Sequence, residues 1–273
     1  MKLNKSLIAK TVAGLAMVVG AAMPAFAQNT APTFSINPSV FGGVNKDIVV
    51  NQMSGTSSEL LHTNADGTGH SGSGWLQISS FSMNGNPVFQ TGLGNNYLLY
   101  ITFDLADVYT GGGNGINTAN SINTLTKLDF TFHVDRNLDN TYTNANAQTG
   151  AEATVGNTSD DMILGTGSLI SGEASFNAQF GAALNSIQSF ALTDEGKKFF
   201  VSPDPFYNMA FDAFNNTTQG AQLNAATGAV AINQAVGTID FNGTTAVPEP
   251  ASLALMGLGM LGLAAGTRRR RAK

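Results

Sequence analysis

Short segments in which apolar and polar positions alternate run through the middle of the chain, and each predicts a β-strand. The clearest covers residues 97–105 (YLLYITFDL), where Tyr97, Leu99, Ile101, Phe103 and Leu105 share one face. Its other face, Leu98, Tyr100, Thr102 and Asp104, is only partly polar, as in a strand covered on both sides. Leu128, Phe130, Phe132 and Val134 alternate with Lys127, Asp129, Thr131 and His133, which predicts a half-buried strand. Residues 75–81 and 236–241 follow the same pattern less regularly. Between these segments lie turn-rich runs such as TGGGNG at 110–115, too rich in Gly and Asn for a helix. One stretch, 176–189, puts Phe180, Ala183, Leu184 and Ile187 at helical spacing. It is the helix candidate of the body, although 187–192 also fits a strand. Many short strands joined by Gly/Asn turns, with no internal repeat and no long linker, predict an all-β body, mainly antiparallel and sandwich-like.

Two apolar runs fall outside this alternation. At the N-terminus Lys2, Lys5 and Lys10 lead into an uncharged run over 11–23, and Ala25-Phe26-Ala27 precedes Gln28. A basic region, an apolar region and an A-x-A site predict a secretory signal peptide over 1–27, cut after Ala27. At the other end stand Val247, Pro248, Glu249 and Pro250, a stiff extended tetrapeptide because each proline restricts itself and its predecessor. Residues 251–266 carry no charge and are dominated by Leu, Met, Ala and Gly. As a helix they span roughly 24 Å, a little less than the roughly 30 Å hydrocarbon core of a bilayer. Arg268, Arg269, Arg270 and Arg271 follow; such a cluster snorkels to the cytoplasmic interface and sets the orientation.

Pro-Glu-Pro, a short apolar helix and terminal arginines, in that order, resemble the PEP-CTERM sorting signal. The resemblance implies reading by an exosortase-type membrane sorting enzyme and only transient residence in the inner membrane through the C-terminal helix. It also implies delivery to the cell surface or extracellular matrix after C-terminal processing. A plain single-pass anchor is the alternative. The chain then divides into a signal peptide (1–27), a β-rich extracellular body (28–246) and a sorting signal (247–273).

Setting the two signals aside changes the charge. Residues 28–250 hold five basic side chains (Lys46, Lys127, Arg136, Lys197 and Lys198) against 18 acidic ones, a net of −13, where the whole chain carries −5. A body this acidic does not hold nucleic acid or an anionic membrane through its net field, but it attracts divalent cations. There is no cysteine, so the exported body folds without disulfides, which a chain of this length can do on its core alone.

Among candidate sites the best is Asp135, Asn137, Asp139 and Thr141 in DRNLDNT. Oxygen ligands at positions 1, 3 and 5 and a carbonyl at 7 are how a tight loop wraps calcium. Position 12 is Asn146 where an EF-hand has Glu, so calcium needs help from Glu152, Asp160 or Asp161. The alternative is an Asx turn that caps its own backbone. No other cofactor is indicated. His62, His70 and His133 lack the paired spacing of a zinc site. No Ser sits in a G-x-S-x-G frame. The G-x-G-x-x-G over 257–262 lies in the apolar tail with no strand before it, which removes the dinucleotide reading. A pair of carboxylates suited to glycoside hydrolysis is the remaining catalytic option.

Phe199, Phe200, Phe206, Tyr207, Phe211 and Phe214 crowd around Pro203 and Pro205. They predict core filling first, and a partly exposed platform for sugar rings second. In order the body carries FSINPS, YLLYITFDL, FHVDRNLDNTYTN, DDMILGTGSLISGEASF and LTDEGKKFFVSPDPFYNMAF, a series that resembles the flocculation-associated PEP-CTERM proteins. That resemblance implies a non-enzymatic extracellular protein that holds cells in floc or biofilm with exopolysaccharide. The other two functional classes are a calcium-dependent carbohydrate-binding module and an exported polysaccharide-modifying enzyme.

Overall fold

The structure, a computed structural model, describes residues 31–216 and 220–242. Ala25, Ala27, residues 247–250 and the arginines at 268–271 lie outside them. The described chain opens with β1 (Phe34–Ile36), a 3-10 turn (Pro38–Phe41) and β2 (Ile48–Val50). Next come β3 (Gln52–Thr63), β4 (Gly69–Met83), the short β5 (Asn86–Val88), β6 (Leu98–Gly111) and β7 (Ile122–Asp135). A hairpin of β8 (Thr141–Thr143) and β9 (Thr154–Gly156) leads to β10 (Met162–Phe176), β11 (Ala182–Ser189) and β12 (Ala191–Leu192). Helix α1 (Asp194–Phe199), β13 (Phe200–Ser202), β14 (Met209–Asn215), β15 (Gln222–Asn224) and β16 (Ala229–Asn242) complete it.

The order β3-β4-β6-β7-β10-β11-β14-β16 runs antiparallel from each strand to the next in the chain. β16 then pairs back onto β3, from Val230↔Leu61 to Ile239↔Met53. The antiparallel all-β body expected from the pattern is therefore present, but as a closed up-and-down barrel and not as a sandwich. Alternation reads the same in both, because each has one buried face. Length and bending separate them. Strands of 12 to 15 residues, as in β3 and β4, are bent by bulges at Ser54/Gly55, Ala106/Asp107, Ile163/Gly165 and Asn233/Ala235. Bulges increase twist, and closure removes the exposed sheet edges that a sandwich must protect.

Leu99, Ile101, Phe103 and Leu105 of β6 face inward with Leu128, Phe130, Phe132 and Val134 of β7, and all are buried. Asp104, Lys127 and Asp129 stand exposed on the outer wall. Along β6 and β7 the wall is thus largely polar and the interior apolar, the reverse of a membrane-spanning barrel. Among the described residues no helix is long and apolar enough to cross a membrane.

The helix candidate at 176–189 is instead the end of β10, a turn, and β11. Its helical spacing is overridden because Ala182, Leu184, Ser186 and Gln188 alternate inward as barrel positions. Among the described residues the α-helix that forms, α1, starts at Thr193, whose Oγ1 accepts the Gly196 N–H at 3.0 Å. Asp194 and Glu195 sit in its first turn and Lys197 and Lys198 in its last, the arrangement the helix dipole favours. A side chain at Gly196 would meet the Leu164 carbonyl at 1.8 Å, so only glycine lets α1 lie directly on β10.

Candidate functional site

The Asp135 loop turns the chain off the end of β7. Asp135 is fully buried, and its carboxylate accepts the main-chain N–H groups of Asn137 (3.0 Å), Leu138 (2.7 Å) and Asn140 (3.1 Å). This is the geometry of an Asx turn, and a calcium ion has to compete with three amides for its principal ligand. Asp139 is exposed, with its carboxyl raised by desolvation and by the charges of Asp160, Asp135 and Asp161. Asn137 and Thr141 are exposed on the same loop, and Glu152 binds His62 at 2.7 Å. Asp161 accepts from Asn140 Nδ2 at 2.9 Å and from the Tyr100 hydroxyl. Among the described residues no group of three or more His, Cys, Asp or Glu is placed to hold a metal ion. Replacing Asp135 with Ala strips the turn of three hydrogen bonds and is expected to cost about 1–3 kcal/mol. The measurement is urea unfolding with calcium and with chelator: an equal loss in both supports the turn, and a loss only in calcium makes the loop a cation site.

The segment after this turn is strapped to the outer wall. Ala145, Ala147, Ala153 and Tyr142 cover Leu60, Trp75, Ala229 and Ala231, and Trp75 Nε1 donates to the Thr143 carbonyl at 3.0 Å. Ser58 Oγ accepts the Ala145 N–H at 2.8 Å, while Asn233 Nδ2 donates to the Ala145 carbonyl at 3.0 Å. Tyr100 stacks on His133, with centroids 4.7 Å apart. That is why the second face of β6 looked only partly polar.

Most of the aromatic run fills core at one end of the barrel, while Phe214 faces inward towards the other. Phe199 and Phe200 are buried, and Phe200 meets Phe34, Phe132, Phe190, Phe206 and Phe241 with centroids 5.2 to 6.3 Å apart. β1, α1 and β13 bring Phe34, Phe199 and Phe200 against Phe132 of β7 and Phe241 of β16, so this end is plugged. Phe211 is the exception. It points outward from β14, half-buried, in a row Ser171–Ile187–Phe211–Asp240 that crosses β10, β11, β14 and β16. Glu173, Asn185 and Thr238 line the next row, and together they form a groove of about 490 Å³.

The opposite end of the barrel holds a polar cluster that sequence reasoning missed. His70 is fully buried, with Nδ1 3.0 Å from Asp107 Oδ1 and Nε2 2.9 Å from Asn117 Oδ1. Asp107 also accepts the His70 main-chain N–H at 2.9 Å and Asn123 Nδ2 at 3.1 Å. Burial pulls the His70 pKa down, but the Asp107 hydrogen bond and charge, helped by Asn117, carry it above the ordinary value. An acceptor oxygen beside each ring nitrogen favours the protonated ring, and its outer partner is an amide and not a hydroxyl nucleophile. Beside it Glu59, only 9% exposed, is pushed up to about 7 by burial and then by Asp107. These residues come from four barrel strands, β3, β4, β6 and β7, and the turn that joins β6 to β7. Acids at inward positions of otherwise apolar strands were the one signal available in the sequence.

Residues 246–271 match the family model of the PEP-CTERM protein-sorting motif. The chain is a PEP-CTERM sorting domain-containing protein. No curated protein and no solved structure matches it. The motif marks a PEP-CTERM protein as exported and surface-sorted, recognised by an exosortase in the membrane. Its position fixes a direction on the barrel. β16 ends at Asn242, level with Met209 and the plug, four residues before the motif begins. In this PEP-CTERM protein the His70 end is therefore opposite the end at which the described chain leaves the barrel at Asn242, and is called the distal end below.

Proposed function

We propose that this protein is an exported, exosortase-sorted surface or matrix component that holds cells in floc or biofilm by binding extracellular polysaccharide, without catalysing a reaction. The observation that carries this reading is the outer-wall groove around Phe211. A pyranose ring has an apolar C–H face and a polar rim. The groove offers Ile187 and Phe211 as an apolar floor, with Glu173, Asn185, Thr238 and Asp240 around it. A single open aromatic contact is weak, and many copies held on one polymer convert weak contacts into firm retention. The resemblance of the body to flocculation-associated PEP-CTERM proteins points the same way.

The test has a cellular arm and a molecular arm. Deletion is expected to disperse the cells while polysaccharide amount and composition stay unchanged, and a chain lacking 247–273 is expected not to restore settling. On a column of the purified polysaccharide, Phe211→Ala is expected to weaken retention several-fold, equally with and without chelator. Normal settling of the deletion strain overturns the proposal. Chemically altered polysaccharide favours an exported modifying enzyme, and retention abolished by chelator favours a calcium-dependent module.

A further inference from the structure

The distal end of the barrel holds a small, partly open cavity of about 30 Å³. Its walls include Leu61, Leu105, Leu184 and Phe214, and its polar groups include Glu59, Asp107 and Asn123. Asn123 is 2% exposed, and its Nδ2 is committed to Asp107 Oδ2. That bond turns its Oδ1 the other way, and this oxygen is buried without a partner. A sealed amide oxygen with no donor is costly, by about 1–3 kcal/mol, and such atoms are normally satisfied by a bound molecule.

With Asn123 Nδ2 committed to Asp107, the polar atoms that these three side chains have left to offer are oxygens. Asp107 is balanced by His70 at 3.0 Å, whereas Glu59 forms no ion pair among the described residues. A guest must therefore donate hydrogen bonds, carry positive charge to match an ionised Glu59, and tolerate aliphatic walls. Room for one or two water-sized groups limits the part that enters to a small head. A divalent metal does not suit the site, because calcium needs six or more oxygens and magnesium a near-ideal octahedron. We infer that this cavity binds the ammonium head of a short primary amine, held by Asn123 Oδ1 and the Glu59 carboxylate. The site is separate from the polysaccharide groove and does not depend on that reading.

Binding is tied to protons. Glu59 sits near 7 through burial and Asp107. The groups that face it are Asp107 of β6 with its partner His70 of β4, and Asp212 of β14, which lines an adjoining void with Glu59. The binding-competent form has Glu59 ionised, which is about a tenth of the molecules at pH 6 and about nine-tenths at pH 8. Apparent affinity is therefore expected to fall about tenfold from pH 8 to pH 6.

The experiment is a thermal-shift titration of the folded protein with n-propylammonium chloride at pH 8. Propan-1-ol and tetramethylammonium chloride serve as probes of matched apolarity and matched charge, and the Asn123 side-chain amide is followed by NMR. Nα-acetyllysine methylamide, run in parallel, separates a free amine from a lysine side chain as the source. A saturable rise with the primary ammonium alone, a moving Asn123 signal, and at least tenfold weaker binding in Glu59→Gln support the site. An equal response to the alcohol or to tetramethylammonium, or no response with a static Asn123 signal, overturns it and leaves a water cavity. An undiminished response in Glu59→Gln also overturns it, by placing the amine on the acidic surface.

Discussion

Replacing Glu59 with Gln and Asp212 with Asn is expected to make the protein markedly more stable at pH 8 while changing little near pH 4. Asp212 faces inward on β14, opposite Ser186. As a residue it is half-buried, but its Oδ1 is sealed from solvent and has no partner. Burial pushes its carboxyl up to about 7 against the opposing Gln188 amide, with Asp240 adding to the rise. Glu59 is held near the same value. Both acids bind protons more tightly in the folded than in the unfolded chain, so stability falls as pH rises through the window from about 4 to about 7. His70, raised above its ordinary value, adds to the same slope at its upper end, because its contribution is lost as pH passes the folded value. Each carboxyl is expected to cost about 3–4 kcal/mol once ionised. For a body of this size the double variant should melt on the order of 10 °C higher at pH 8. The readout is the melting midpoint at intervals from pH 4 to 8, in wild type and variant. Parallel profiles would show that neither carboxyl is burdened in the folded state.

Phe200→Ala should be the most damaging single truncation in the plug. Phe200 is 2% exposed and touches rings on both the barrel wall and the closing segments. Removing it discards buried apolar surface and leaves a cavity that neighbouring rings, each held by others, cannot collapse to fill. The expected loss is about 3–5 kcal/mol, read from the denaturant midpoint at constant slope. Phe89→Ala is the control, because Phe89 is 79% exposed and such surface changes stay within about 0.5 kcal/mol. Equal losses in the two variants would mean that the plug is not part of the cooperative core.

The strand alternation of 97–105 and 127–134 was legible because a half-buried strand stamps a period of two on its own residues. Every inward position it named on β6 and β7 is buried. The stretch 176–189 misled because a few apolar residues satisfy both periods, and long-range pairing of β11 with β10 and β14 decided between them. For the Asp135 loop the sequence offered two readings of one set of oxygens. In the folded loop the carboxylate accepts three amides of its own turn.

What the sequence by itself determined is local or terminal. The sorting motif is read as a linear peptide, and its proline, apolar and arginine parts need no partner elsewhere in the chain. The β character of the body follows equally from neighbouring residues. Tertiary structure alone decided that β16 closes on β3, that aromatic residues from 34 to 241 meet in one plug, and that Glu59, His70, Asp107 and Asn123 share one end of a barrel. The physical reason is range. A strand's period is set by which face its own side chains take. Ring closure and the meeting of residues tens of positions apart depend on the summed twist, bulges and pairing of all the strands between them.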